Sequence, residues 1–179
     1  MRGLLITAFA AAIFAASGVA GDQHVRAARE GWREIAWPFP RDGWPAGRAF
    51  RCEAQVCGGE VEVYARPKIG FCNCDTGVAD DDEVDRVADL DLMSERFVPL
   101  EAGKLIRVAD MQGRIRAYDL QIAGGARHTA IGIAVSRGCD LMVAVAQGAG
   151  AAPDVQRVAL EFLASDDITR WMTKAMDGG

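Results

Sequence analysis

The chain has 179 residues, 50% of them apolar and 25% charged, with a formal net charge of −5 at neutral pH. That mildly acidic balance excludes sequence-independent nucleic-acid binding, which needs a basic patch to meet phosphates. The length suggests one domain, and the apolar share is enough for a real core.

Residues 1–20 read as a secretory signal peptide. Met1 and Arg2 give a short positive start, residues 3–16 (GLLITAFAAAIFAA) are apolar apart from Thr7, and Gly18 and Ala20 are small residues of the kind a signal peptidase reads. The apolar run is too short for an ordinary transmembrane helix, and no second long one follows, so no membrane span is expected after its removal. Losing Arg2 with the leader leaves a formal charge of −6. The expected location is the periplasm or the exterior.

Residues 21–47 are expected to form an extended N-terminal strap. Trp32, Trp37 and Trp44 are interleaved with Pro38, Pro40 and Pro45. Proline fixes its own backbone and biases its predecessor toward extended geometry. Trp37, Phe39 and Trp44 bury large areas, so the strap either seals an edge of the core or offers an aromatic groove to a peptide or ligand.

A single α+β domain is expected over 48–179. Residues 60–64 (EVEVY) alternate acids with β-branched and aromatic residues, which predicts a half-buried strand. Arg66, Pro67 and Lys68 are read as breaking it, with residues 69–72 returning as a partner strand. That register carries Cys57 toward Cys72 and Cys74 and makes a bridge between them feasible. Arg66 and Lys68, beside Tyr64, read as a solvated turn or a small anion-binding spot.

Residues 79–88 predict a short helix. Asp80, Asp81, Asp82 and Glu83 crowd its first turn, where the helix dipole favours negative charge, and Val84, Val87 and Ala88 form one apolar stripe. Residues 105–122 predict a hairpin turning at Gln112 and Gly113. Ile115 and Ala117 fall on one face while Tyr118, Leu120 and Ile122 fall on the other, which predicts a bulge near Ala117 and Tyr118. A second hairpin joins residues 129–135 to 141–146 across Ser136–Cys139. Its strands are apolar on both faces, as central strands are, and the Ala130/Gly132/Ala134 face leaves room for the C-terminal helix. Val155, Val158, Ala159 and Phe162 form a helical stripe behind Pro153 and Asp154, and a new stripe of Ile168, Trp171, Met172 and Ala175 starts after Ser165. Two helices with a break at Ser165 are therefore expected.

The order of elements gives an α+β fold: a largely antiparallel sheet covered by helices on both faces, stapled by disulfides. In that order it is similar to the PsbP-like α/β/α sandwich. The resemblance implies a fold and says little about function.

All five cysteines, Cys52, Cys57, Cys72, Cys74 and Cys139, follow the leader. In an oxidising compartment their default fate is disulfides, two bridges with one cysteine left over. Thiolates prefer Cu(I), so Cys72 and Cys74 are also candidate copper ligands or redox thiols. The pairs lack zinc-ribbon spacing, and His24 and His128 are not arranged around them. Asp75, Asp80, Asp81, Asp82, Glu83 and Asp85 fail the EF-hand pattern: its glycine and glutamate positions fall on Asp80 and Arg86. No Gly-x-Ser-x-Gly occurs, Ser136 has no implied partner, and the loop glycines lack a phosphate-loop lysine.

The leading functional expectation is a soluble exported, non-catalytic binding or assembly-accessory protein with a periplasmic protein partner and no cofactor. A candidate partner surface is Trp37, Phe39, Trp44, Tyr64, Arg66 and Lys68. The alternatives are a thiol-dependent copper or redox handler, and an enzyme with no recognisable motif.

Overall fold

The computed structural model describes residues 31–40, 42–121, 127–148 and 150–178. The expected leader, the first ten residues of the strap and His24 lie outside the described residues. Among those described, the chain is α+β, with eight strands in one open antiparallel sheet and four α-helices. The elements run β1 (Trp32–Ile35), β2 (Arg48–Cys52), α1 (Ala54–Cys57), β3 (Val61–Lys68), α2 (Asp81–Val87), a 3-10 turn (Leu90–Leu92), β4 (Phe97–Pro99), β5 (Lys104–Val108), β6 (Met111–Gln121), β7 (Arg127–Arg137), β8 (Asp140–Gly148), α3 (Ala152–Leu163) and α4 (Asp166–Asp177). The sheet order is β1-β2-β3-β8-β7-β6, and β4 and β5 share the outer side of β6.

The β7–β8 hairpin is the centre of the sheet. Arg137 pairs with Asp140, leaving Gly138 and Cys139 as the turn, and Gly138 supplies the positive φ of 60° that a tight hairpin needs. Both strands are buried on both faces. One apolar cluster joins Ile131, Ile133 and Val135 to Val158, Phe162 and Met172 from α3 and α4. A second joins Ala130 and Ala134 to Val84 and Val87 of α2, with Tyr118, Leu120 and Val143. The Ala/Gly face therefore takes α2, not the C-terminal helix. The latter goes to the Ile/Val face because Phe162 stacks there on Trp32 at 4.0 Å and meets Phe50 edge-on at 4.8 Å. The small face still serves close approach: a Cβ added at Gly132 would lie 3.0 Å from Ala88 and from Tyr118.

The helix break falls where the stripes change phase. α3 ends at Leu163, Ser165 is the N-cap of α4, and Asp166 and Arg170 are exposed. Ser165 caps with its backbone carbonyl, which accepts from Thr169 N at 2.8 Å, and its side chain makes no cap bond.

Three expectations are overturned. First, β3 does not break at Arg66. It pairs with β8 over its whole length, from Val61↔Gly148 to Lys68↔Leu141. β2 pairs only as far as Ala65, so Pro67 lies where that side of β3 is an open edge, the place a sheet tolerates proline. Second, the first hairpin turns at Ala109 and Asp110, with Ala109 at φ 52°, while Gly113 lies inside β6. A Cβ at Gly113 would come within 1.9 Å of the Ala134 carbonyl, so glycine serves strand packing there, not a turn. Third, β6 has no bulge. Its register with β7 advances one for one from Gln112↔Ser136 to Gln121↔Arg127. Arg114 and Arg116 share a face with Tyr118 and Leu120, and carboxylates of α2 neutralise them, so plain alternation suffices.

The cysteine pairing differs as well. Cys52 is bonded to Cys57 and Cys74 to Cys139, leaving Cys72 as the free cysteine. A bridge from Cys57 to Cys72 or Cys74 fails because β3 does not fold back. Its eight residues span about 23 Å at ~3.3 Å per step and carry the two groups to opposite ends of the sheet.

Candidate functional site

Strand period places Glu62, Tyr64, Arg66 and Lys68 on one face of β3, opposite Val61, Val63 and Ala65 in the core. Four polar groups in a row on a half-covered face need partners, and each finds them. Arg66 is 2% exposed and Lys68 5%, so neither is a solvated turn residue. Arg66 donates from Nε to Asp89 Oδ2 at 2.6 Å and from Nη2 to Asp89 Oδ1 at 2.8 Å. It also donates from Nη1 and Nη2 to the two carboxylate oxygens of Asp42, at 2.8 and 2.7 Å. Lys68 Nζ donates to the Val87 carbonyl at 2.8 Å and pairs with Asp89 Oδ1 at 2.6 Å.

The two carboxylates come from different elements. Asp89 follows α2 and adopts φ 58°, a left-handed conformation that Asp tolerates better than most residues. Asp42 belongs to the strap, and its Oδ1 also accepts from Trp44 N at 3.2 Å. Arg66 thus ties the strap and the segment after α2 to the middle of the sheet. Burial works against its charge, and its hydrogen bonds to Asp89 and Asp42 outweigh that and hold its pKa above the ordinary arginine value. The hydrogen bond from Arg66 holds the Asp42 carboxyl down at about 2.

Aromatic rings roof these charges. Trp37 meets Phe39 edge-on at 5.3 Å and Tyr64 at 6.3 Å, and Phe39 meets Tyr64 at 4.9 Å. Trp44 meets Phe71 at 5.1 Å. The cations sit against the ring faces, Arg66 5.8 Å from Trp37 and Lys68 5.5 Å from Trp44, within cation–π range. All six residues of the expected partner surface therefore belong to one cluster. Its cations are enclosed and neutralised by acids of the same chain. Its outward side is the half-buried Trp37, Phe39 and Trp44 between the exposed Pro38, Pro40 and Pro45.

Next along the same face, Glu62 accepts from Arg51 Nε at 2.7 Å, from Gln147 Nε2 at 2.8 Å and from the Tyr64 hydroxyl. Burial and the hydrogen bond to Glu62 push the Tyr64 hydroxyl well above its ordinary range, so it stays a donor. Farther across the same face of the sheet, α2 docks by charge. Asp81 accepts from Arg114 Nη2 at 2.6 Å and from Gly103 N at 2.8 Å, and Asp85 accepts from Arg116 Nη1 at 2.8 Å and from the Tyr118 hydroxyl. Asp80 caps the helix by accepting from Glu83 N at 2.9 Å. The acidic run is thus partly a docking face, not only a solvated helix start. Among the described residues, no group of three or more His, Cys, Asp or Glu side chains is arranged to hold a metal ion.

With Cys74 in a bridge, Cys72 and Cys74 are not a pair of free thiols. Cys72 is half-buried, and burial, with the nearby Glu83 charge, pushes its thiol above the ordinary cysteine value. His128 is half-buried in β7, opposite Leu120. The Ser136 hydroxyl donates to the Gln112 carbonyl at 3.3 Å.

Sequence reasoning missed Asp42, Asp89 and Phe71, the partners that close the cluster. One signal was present: two cations at alternate positions of a strand require buried anions if the strand continues. Exposed apolar side chains were missed as well. Val98, Leu100 and Leu105 are 63%, 54% and 77% exposed along the β4–β5 edge.

No protein-family model matches the chain, and no curated protein matches it. Among solved structures it is similar to a crystal structure of a protein of unknown function from Pseudomonas aeruginosa, proposed there to be a regulator. The match has 11% identity and a TM-score of 0.38, and covers 75% of this chain and 80% of the other.

Proposed function

We propose that the protein is an exported, soluble, non-catalytic binding or assembly-accessory module of the periplasm or exterior, and that its partner surface is the strap. We read its scaffold as an α/β/α sandwich in the PsbP-like order, supported by one apolar cluster that includes α3 and α4 and another that includes α2. Two disulfides fit an oxidising compartment. No helix among the described residues is long and apolar enough to cross a membrane.

The observation that carries the reading is the strap itself. Trp37, Phe39 and Trp44 are held edge-on to one another, to Tyr64 of β3 or to Phe71 in the loop after it, and Asp42 pins the turn between them to Arg66. Rigid, half-exposed aromatics between exposed prolines offer contact area at little ordering cost, which is what a protein partner uses. The enclosed cations hold the platform in shape and are not offered to a ligand.

The test is site-specific photo-crosslinking in the native host. A benzophenone side chain replaces exposed Pro38 or Pro45, with exposed Lys174 on α4 as the control position. The expected result is one discrete protein adduct from the strap positions and none from Lys174. Equal labelling of both faces, or no strap adduct, would overturn the reading.

A further inference from the structure

The loop over residues 70–77 is fastened to the β7–β8 turn at several points. Gly70 N donates to Asp140 Oδ1 at 2.7 Å, and Cys72 N donates to the Cys139 carbonyl at 3.0 Å. Cys74 is bonded to Cys139. Gly77 sits so near Ser136 that an added Cβ would lie 2.4 Å from its hydroxyl. Cys139 is therefore flanked by two cysteines of the same loop, one bonded to it through sulfur and the other hydrogen-bonded to its backbone. A backbone bond of that length keeps the Cys72 and Cys139 Cα atoms within about 6 Å, inside the span a disulfide bridges.

We propose that Cys72 and Cys74 exchange as partners of Cys139, so that the loop has two disulfide-bonded states. The Cys72 thiolate attacks Cys139 Sγ. The Cys72–Cys139 bond forms as the Cys74–Cys139 bond breaks, and Cys74 leaves as a thiolate that takes up the proton Cys72 lost. No oxidant or reductant is consumed. This goes beyond the binding reading and does not depend on it.

Three further observations support the exchange. The closed loop has a sequence separation of 65 in one state and two more in the other, so loop-closure entropy does not choose between them. The loop has attachments to the turn besides the Cys74 bond, from Gly70 N to Asp140 Oδ1 and from Cys72 N to the Cys139 carbonyl, and it is shaped from within where Asn73 Oδ1 accepts from Asp75 N at 2.9 Å and Gly77 N donates to the Asn73 carbonyl at 2.9 Å. Cys74 and Cys139 are exposed, and Cys74 lines a cleft of about 340 Å³ with Asp75, Thr76, Gln112 and Ser136. The exchange moves the free thiol from the half-buried Cys72, beside Glu83 and Arg86, to the exposed Cys74. The second state presents a thiol that a partner's thiol or disulfide can reach. The raised Cys72 pKa sets the pace, since only the thiolate attacks.

The experiment uses the whole native chain, never reduced. It is held at pH 7 or pH 9, trapped with excess N-ethylmaleimide and digested without reduction, and fragmentation locates the label within the peptide that carries Cys72 and Cys74. Two populations are expected: label on Cys72 with Cys74–Cys139 intact, and label on Cys74 with Cys72–Cys139 formed. The second should grow faster at pH 9, and Cys52 and Cys57 should stay unlabelled. In Cys74→Ser a Cys72–Cys139 bridge should form under air. Label confined to Cys72 at every time point overturns the proposal. So does a folded Cys74→Ser protein with Cys72 and Cys139 both free beside an intact Cys52–Cys57 bridge.

Discussion

Arg66 and Asp89 are joined by two hydrogen bonds, at 2.6 and 2.8 Å, between an arginine 2% exposed and a carboxylate 10% exposed. The same carboxylate pairs with Lys68 at 2.6 Å, so one anion holds two enclosed cations. Replacing Asp89 by Ala leaves both without their shared partner, and stranding a buried charge costs about 3–5 kcal/mol. Urea denaturation of Asp89→Ala should show that loss. A change under ~1 kcal/mol would mean that water reaches the pair freely.

Acid should loosen the strap. Arg66 hydrogen bonds hold the Asp42 carboxyl at about 2, below the ~3.9 of an unfolded aspartate. A depressed folded-state pKa means that the contribution is fully present above about pH 4 and is lost as pH falls toward 2. Thermal melts from pH 7 to pH 2 should show an acid limb in the wild type that is shallower in Asp42→Asn. The variant should be less stable near neutrality and converge on the wild type at low pH.

The two disulfides should contribute unequally. Cys52 and Cys57 are separated by 5 in sequence, Cys74 and Cys139 by 65. Loop closure alone assigns about 2 kcal/mol to the first and about 4 to the second. The double replacement Cys52→Ser/Cys57→Ser should therefore lower stability less than Cys72→Ser/Cys74→Ser/Cys139→Ser, which also removes the spare partner. Equal losses by denaturant titration would contradict this ranking.

Gly113 tests the register of β6. An added Cβ would meet the Ala134 carbonyl at 1.9 Å and Val135 Cα at 2.6 Å, both backbone atoms that cannot step aside. Gly113→Ala should cost upwards of about 3 kcal/mol, at the severe end of overpacking. A turn glycine at the same position would accept alanine far more cheaply, so calorimetry of the variant separates the two placements.

Much of the sheet was legible because its pattern is local. Alternation over residues 129–135 and 141–146 predicts the central hairpin, and the phase change after Phe162 predicts the break at Ser165. What failed depended on partners distant in sequence. Arg66 and Lys68 read as a turn because nothing nearby neutralises them; Asp42 and Asp89 lie 24 and 23 residues from Arg66. The bulge expected in β6 rests on the apolar phase change between Ala117 and Tyr118; it is not needed because Arg114 and Arg116, on the face of Tyr118, are neutralised by Asp81 and Asp85 on a helix more than 30 residues upstream. The C-terminal helix takes the Ile/Val face, which its own stripe does not reveal, because its partners Trp32 and Phe50 are far up the chain. The six strap and β3 residues stand out in the sequence by their chemistry. Their convergence follows from β3 continuing straight, which proline and two cations concealed.

Export into an oxidising compartment is the premise of the whole account, and intact mass spectrometry of the protein from fractionated native cells tests it most directly. Alkylated without reduction, the exported fraction should hold a chain beginning at Gly21 that carries one alkyl group, rising to five after reduction, to match its five cysteines. A chain retaining Met1–Ala20, recovered from the cytoplasm with five alkyl groups before any reductant is added, would contradict it.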